Sequence, residues 1–165
     1  MRKKHIPKYL ILDVDGVITD GTMIYDSKGK RFKIFGSDDH DSLKILKKYM
    51  KIYFVSGDKK GFQISKKRVT DMGFKISHVS AMDRVDWIEK KFGLLNCIYI
   101  GDGIFDHLVM KKVLYGIAPK NSLDHVLDEA DYVTKRSSGD RAVAEGVIHI
   151  LKIFFNINLR NIKKI

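Results

Sequence analysis

The chain has 165 residues, 44% of them hydrophobic and 31% charged, the length and balance of one water-facing globular domain, expected here over 1–165. No apolar run approaches the ~18–20 residues that cross a bilayer, and the run Tyr9–Leu12 after the basic start is shorter than the ~7–15 apolar residues of a signal-peptide core, so no membrane partner is expected and the location is read as cytoplasmic. One cysteine excludes an intrachain disulfide and a thiolate metal cluster, while the net charge of +11 is compatible with an anionic substrate, a nucleic acid or a merely lysine-rich surface.

In chain order, the first element is the apolar run Tyr9-Leu10-Ile11-Leu12, which ends in Asp13-Val14-Asp15-Gly16. Unbroken apolar runs of this length suit strands buried on both faces of a sheet. Thr22–Tyr25 and Arg31–Phe35 flank a turn-rich segment, Asp26 to Lys30, and read as a β-hairpin inserted after that strand. Leu43, Ile45, Leu46 and Met50 share a helical face; Ile52–Val55 is a second buried strand, ending in Ser56-Gly57-Asp58. Ile76–Val79 is a weaker strand, and Val85, Ile88 and Phe92 mark another helix. The third strong strand, Cys97–Ile100, runs into Gly101-Asp102-Gly103-Ile104-Phe105-Asp106, and Cys97 is expected to be buried packing. Tyr115–Ala118 and Tyr132–Thr134 are further strands, and Val143, Val147, Ile150, Leu151 and Phe154 mark a closing helix. Strands alternating with helices predict an α/β fold with a doubly wound parallel sheet, carrying the hairpin and no cap domain.

In such a sheet, ligands bind at the carboxyl ends of the strands, so Asp13, Ser56 and Asp102 are expected to converge. Two carboxylates placed two residues apart around a turn suit different tasks: Asp13 as a nucleophile and Asp15 as general acid and base. Carboxylates facing a phosphate need a hard cation such as Mg²⁺; Asp102 is a ligand for it, with Asp106 ligating directly or through water. The Ser56 hydroxyl and the backbone around Gly57 can receive phosphoryl oxygens, and a cationic side chain should complete the clamp.

These motifs, in this order, resemble those of the haloacid dehalogenase superfamily: Asp13-x-Asp15-Gly-Val-x-Thr, Ser56-Gly57, and Gly-Asp102-x-x-x-Asp106. The resemblance implies a phosphatase that forms an aspartyl phosphate on Asp13, with Mg²⁺ held by Asp13, the backbone carbonyl of Asp15, and Asp102. Leu12–Gly21, the hairpin and Ala130–Thr134 resemble more closely the capless branch that includes the 3-deoxy-D-manno-octulosonate 8-phosphate phosphatases. That implies a small phosphorylated sugar or sugar acid as substrate, a role in bacterial surface-carbohydrate (lipopolysaccharide-type) biosynthesis, and a homotetramer in which a neighbour closes the site.

Several positions depart from that branch. Arg84 stands where a lysine is usual and is assigned to the phosphate clamp, with Lys59 or Lys60 as substitutes. Ser56-Gly57-Asp58 replaces Thr-Gly-Arg, and Ser37-Asp38-Asp39-His40-Asp41 replaces an Arg-Asp-Gly segment. Gly101-Asp102-Gly103 stands for Gly-Asp-Asp, and Ser137-Ser138-Gly139-Asp140-Arg141 for a glycine-rich segment. These differences point to a substrate other than 3-deoxy-D-manno-octulosonate 8-phosphate. Asp39 is a candidate for the substrate-facing rim or for a place behind the metal, and equally for a helix cap; Arg141 is a candidate for an anionic substrate group, and equally for surface charge. The rival function is a nucleic-acid 3′-phosphatase or nucleic-acid-binding protein on the same fold, but the basic residues are dispersed as Lys-Lys pairs on helical segments, as solvated faces are.

Overall fold

The structure, a computed structural model, describes residues 5–161. Six strands form one parallel sheet: β1 (Tyr9–Asp13), β4 (Lys51–Ser56), β5 (Lys75–His78), β6 (Cys97–Ile100), β7 (Tyr115–Ala118) and β8 (Tyr132–Val133), in the order β5-β4-β1-β6-β7-β8. The chain moves outward from β1 through β4 to β5, then returns to add β6, β7 and β8 on the other side. The order therefore reverses between β1 and β6, which are paired from Tyr9↔Cys97 to Leu12↔Ile100. A crevice opens at the carboxyl ends of strands at such a reversal.

Alternation along each strand decides what faces each layer of helices. Leu10 and Leu12 of β1, with Ile98 and Ile100 of β6, share a core with α1 (Asp38–Leu46), α2 (Phe62–Asp71) and α6 (Ala142–Phe155). Ile11, Cys97 and Tyr99 face the opposite core, with α3 (Arg84–Phe92), α4 (Asp106–Met110) and α5 (Asp124–Leu127). Cys97 is buried as expected. In α6, Val143, Val147, Ile150 and Leu151 are fully buried at helical spacing, the stripe that a helix on one face of a sheet must present. Among the described residues, no helix is long and apolar enough to cross a membrane.

Two local readings are corrected. The hairpin pairs β2 (Ile24–Asp26) with β3 (Gly29–Phe32), leaving only Ser27 and Lys28 at the turn, where a five-residue linker was expected. Asp26 Oδ1 accepts the Lys28 amide at 2.7 Å, and Gly29 takes φ +115°, so the turn closes inside the presumed linker. Met50 is buried but lies past the end of α1. Helix α2 has no counterpart in the sequence reading. It buries only Ser65 and Val69, so its apolar periodicity is faint beneath a lysine-rich face.

Candidate active site

Asp13 is the last residue of β1 and has the same parity as Ile11, so its side chain leans toward the α3 layer. There Arg84, the first residue of α3, donates from Nη1 to Asp13 Oδ2 at 3.0 Å, to the Tyr99 hydroxyl at 2.7 Å and to Asp106 Oδ1 at 2.7 Å. Tyr99 in turn donates to Asp106 Oδ1 at 2.7 Å. The other oxygen, Asp106 Oδ2, accepts the amides of Asp102 at 3.0 Å and Gly103 at 2.9 Å. Asp106 thus folds the loop after β6 and ties it to α3 and β1. Gly101 is required at that bend, because a Cβ there would sit 2.4 Å from Asp106 Oδ2.

One oxygen from each of Asp13, Asp102 and Asp106 lies within 4.8 Å of the others. Burial raises the Asp13 carboxyl to about 7, with the Asp106 charge adding to the rise and the Arg84 cation and the Val14 amide opposing it. Burial likewise raises Asp102 to about 8, helped by the charges of Asp13, Asp106 and Asp15. Asp102 Oδ1 is buried with no hydrogen-bond partner. A buried, unpartnered carboxylate oxygen beside two other acids is unfavourable alone and favourable around a hard cation, so these residues fit a divalent metal. Gly16 presses the site from the other side: at φ +81°, its Cβ would lie 1.9 Å from Asp102 Oδ2.

Asp15 is held differently. Its carboxylate is bound by Lys33 Nζ, at 2.7 Å on Oδ1 and 2.9 Å on Oδ2, and receives the Ser56 hydroxyl at 3.4 Å. Ser56 Oγ also accepts the Asp58 amide at 3.2 Å, which closes the turn through Gly57. A Cβ on Gly57 would stand 3.8 Å from Arg84 Nη2, so the guanidinium borders the Ser56-Gly57 loop. Asp58 is bound by Lys30 and, at 2.8 Å, by Lys33. Burial acts to raise its carboxyl, but the two lysines and the Gly61 amide prevail and bring it down to about 2.

The structure therefore brings Asp13, Asp15, Ser56, Gly57, Arg84, Asp102 and Asp106 to one end of the sheet. Asp39 and Arg141 lie elsewhere, in a concavity of about 170 Å³ that also takes in Asp38 and Asp140. Asp39 Oδ1 accepts the Ala144 amide at 2.9 Å, so Asp39 caps the first turn of α6 from within α1. Arg141 pairs with Asp38 and stands at φ 66° at the start of α6.

No family model matches the chain. The phosphatase KdsC of Escherichia coli K12, which acts on 3-deoxy-D-manno-octulosonate 8-phosphate, is 28% identical over 144 residues, 84% of this chain and 76% of that protein. A structure from Legionella pneumophila, assigned as a haloacid dehalogenase (HAD) superfamily hydrolase of subfamily III A, is 30% identical with TM-score 0.79, covering 88% of this chain and 82% of that one. The chain belongs to the haloacid dehalogenase superfamily. Within that superfamily these relatives place it in the capless, KdsC-like branch, and the fold agrees: only the hairpin and α1 stand between β1 and β4, and only α2, β5, α3 and a short 3-10 turn between β4 and β6. The 3-deoxy-D-manno-octulosonate 8-phosphate phosphatase of Moraxella catarrhalis, solved with magnesium, phosphate and the sugar acid, superposes at TM-score 0.82 with 29% identity, covering 91% of this chain and 88% of that one.

Two site residues of this haloacid dehalogenase member escape the sequence reading. Tyr99 sits inside an apolar strand and reads as core, yet its hydroxyl bridges Arg84 and Asp106. Its parity with Cys97, on the α3 side of the sheet, is the signal that could have found it. Lys33 is one of many lysines along the chain, and only the hairpin's fold shows that its side chain has no exposed surface.

Proposed function

We propose that the chain is a divalent-metal-dependent phosphomonoesterase, using Mg²⁺, that releases phosphate from a small phosphorylated sugar acid. The observation that carries this reading is the buried convergence of Asp13, Asp102 and Asp106 against Arg84 at the reversal point of the sheet. The KdsC relative and the magnesium-bound Moraxella neighbour support both the reaction and the substrate class. Mg²⁺ held by Asp13, Asp102, the Asp15 carbonyl and, directly or through water, Asp106 would offset the carboxylate charges that otherwise repel a phosphate dianion.

The chain's own residues then divide the work. The Asp13 carboxylate attacks phosphorus, the ester P–O bond breaks, and the leaving oxygen takes a proton from Asp15. Water next attacks the aspartyl phosphate and gives its proton to Asp15; the P–O bond to Asp13 breaks, and inorganic phosphate and the free carboxylate are released. Arg84 orients Asp13 through Nη1 and offers Nη2 toward the Ser56-Gly57 loop, the expected seat of phosphoryl oxygens. Arg141 is the residue proposed to meet a distal carboxylate of the substrate, with Asp39 holding the start of α6 behind it.

The exposed apolar side chains of the hairpin, Ile24, Tyr25, Phe32 and Ile34, favour self-association, for which we propose the tetramer; gel filtration tests it. The reaction is tested by phosphate release from sugar phosphates, sugar-acid phosphates and 3′-phosphorylated oligonucleotides, with Mg²⁺ and with EDTA. Metal-dependent release from a sugar-acid phosphate is the expected result. Release from the oligonucleotides alone would favour the rival 3′-phosphatase, and no release from any member would overturn the reading.

A further inference from the structure

Lys33 is a buried cation that the mechanism above leaves unused. It follows β3 directly, and the hairpin carries its side chain inward until none of it is exposed. Nζ reaches three segments at once: Asp15 Oδ1 at 2.7 Å after β1, Asp58 Oδ2 at 2.8 Å after β4, and Ser65 Oγ at 2.9 Å in α2. An ammonium has three hydrogens, so with Asp15 Oδ2 also at 2.9 Å the two Asp15 oxygens share one of them. With no surface left, Lys33 acts on a substrate only through what it holds.

We propose that Lys33 is the positioning residue of the reaction, fixing the Asp15 carboxyl group in the orientation from which it exchanges a proton with the leaving-group oxygen. This rests on the phosphatase reading. Among the described residues, the other side-chain hydrogen bond to the Asp15 carboxylate comes from Ser56, at 3.4 Å, at the weak end of the range. Lys33 Nζ stands 2.7 and 2.9 Å from its two oxygens, which holds the carboxylate from one side. Asp58 supplies Lys33 with a counter-ion that does not depend on Asp15, since Lys30 binds the same Asp58 oxygen. Ser65, itself fully buried, anchors the ammonium from behind. The hairpin is thus built into the acid–base step as well as lying beside it.

Leaving groups distinguish positioning of an acid from general damage. Departure of an alkoxide from a sugar phosphate needs a proton; departure of p-nitrophenolate scarcely does. The full chain with Mg²⁺ is assayed on p-nitrophenyl phosphate and on the fastest alkyl phosphate of the panel above. A positioned general acid is worth about 10²–10⁴ in rate, so in single-turnover release of the leaving group, which precedes the hydrolysis step the two esters share, Lys33→Met should slow the alkyl ester by about 10²-fold and the aryl ester by under about fivefold. Ser65→Ala, which loosens Lys33 without removing charge, should show the same selectivity on a smaller scale, about three- to tenfold. If Lys33→Met fails to fold, Ser65→Ala carries the test. Equal losses on both esters, or no loss on either, overturn the proposal while the phosphatase reading stands. A wild-type protein inert on both esters overturns that reading, and this proposal with it.

Discussion

Two places in the molecule set arginine among aspartates, and the fold treats them oppositely. Arg84 is 2% exposed, with Asp13 and Asp106 buried around it, because one strand end and two helix starts project these three side chains into the gap between two layers. Arg141 and its neighbours Asp38 and Asp140 are each more than half, or close to half, exposed, on loops that meet at the surface. The residue types are alike; the desolvation is not. At the first place burial raises two carboxyls to about 7 and about 8, so the charge there is held at a cost and is available to a cation. At the second, water screens the pairs, and only the buried Asp39 is pushed up, to about 6. Chemistry is expected where the charges are confined.

The largest effect that tests this contrast comes from the nucleophile. Asp13→Asn should lower kcat by about 10⁴-fold or more, the scale of losing a covalent nucleophile, while circular dichroism and Tm are kept. Substantial residual turnover would refute the aspartyl-phosphate route. Arg84 comes next. Arg84→Met strips a buried partner from Asp13 and Asp106 and should destabilise the fold by about 3–5 kcal/mol in chemical denaturation, as broken buried pairs do. Arg84→Lys should retain most of that stability but lose activity about 10²-fold, since an ammonium has no counterpart of the Nη2 that borders the Ser56-Gly57 loop.

The metal cluster also fixes the sign of a pH effect. Asp13 and Asp102 have native pKa values of about 7 and about 8, above the ordinary 3.8. Between roughly pH 4 and those values the native state binds more protons than the unfolded state, so without metal the stability is greatest at low pH and is lost as pH rises. Asp58, held at about 2, works the other way and weakens the fold only as pH falls below about 4. Metal-free protein should therefore melt at a lower temperature at pH 8 than at pH 5, and Mg²⁺ should raise Tm more at pH 8. A Tm that ignores Mg²⁺ at pH 8 would argue against a metal at this cluster.

How much of this was legible beforehand depends on where each residue stands. Asp13, Ser56 and Asp102 end apolar strands, and a parallel sheet gathers such ends together, so the core of the site follows from runs and spacing. Arg84 came from resemblance alone, since nothing in Met82-Asp83-Arg84 shows that the start of α3 points its first side chain under the sheet. Lys33 was hidden because lysines are almost never fully buried, and its burial depends on a hairpin whose register slid into the expected linker. Asp39 lies in a polar run that reads as a helix start; it does sit in the first turn of α1, but the amide it accepts belongs to α6, 105 residues on. Contacts of that separation leave no local signal.

The smallest expected effect probes the exposed arginine. Arg141 stands in the left-handed region at φ 66°, where a non-glycine residue is uncommon, and it borders the concavity that Gly139 closes against the loop through Asp20. The contact proposed for it is with a distal anionic group of the substrate. Exposed charge contacts are weak, so Arg141→Ala should raise KM for a sugar-acid phosphate only about three- to tenfold, with kcat unchanged and no change for a neutral sugar phosphate. The difference between the two substrates is the informative quantity. An equal KM change for both would mean that Arg141 senses only the phosphate charge, and no change for either would return it to the screened surface pairs from which the buried cluster differs.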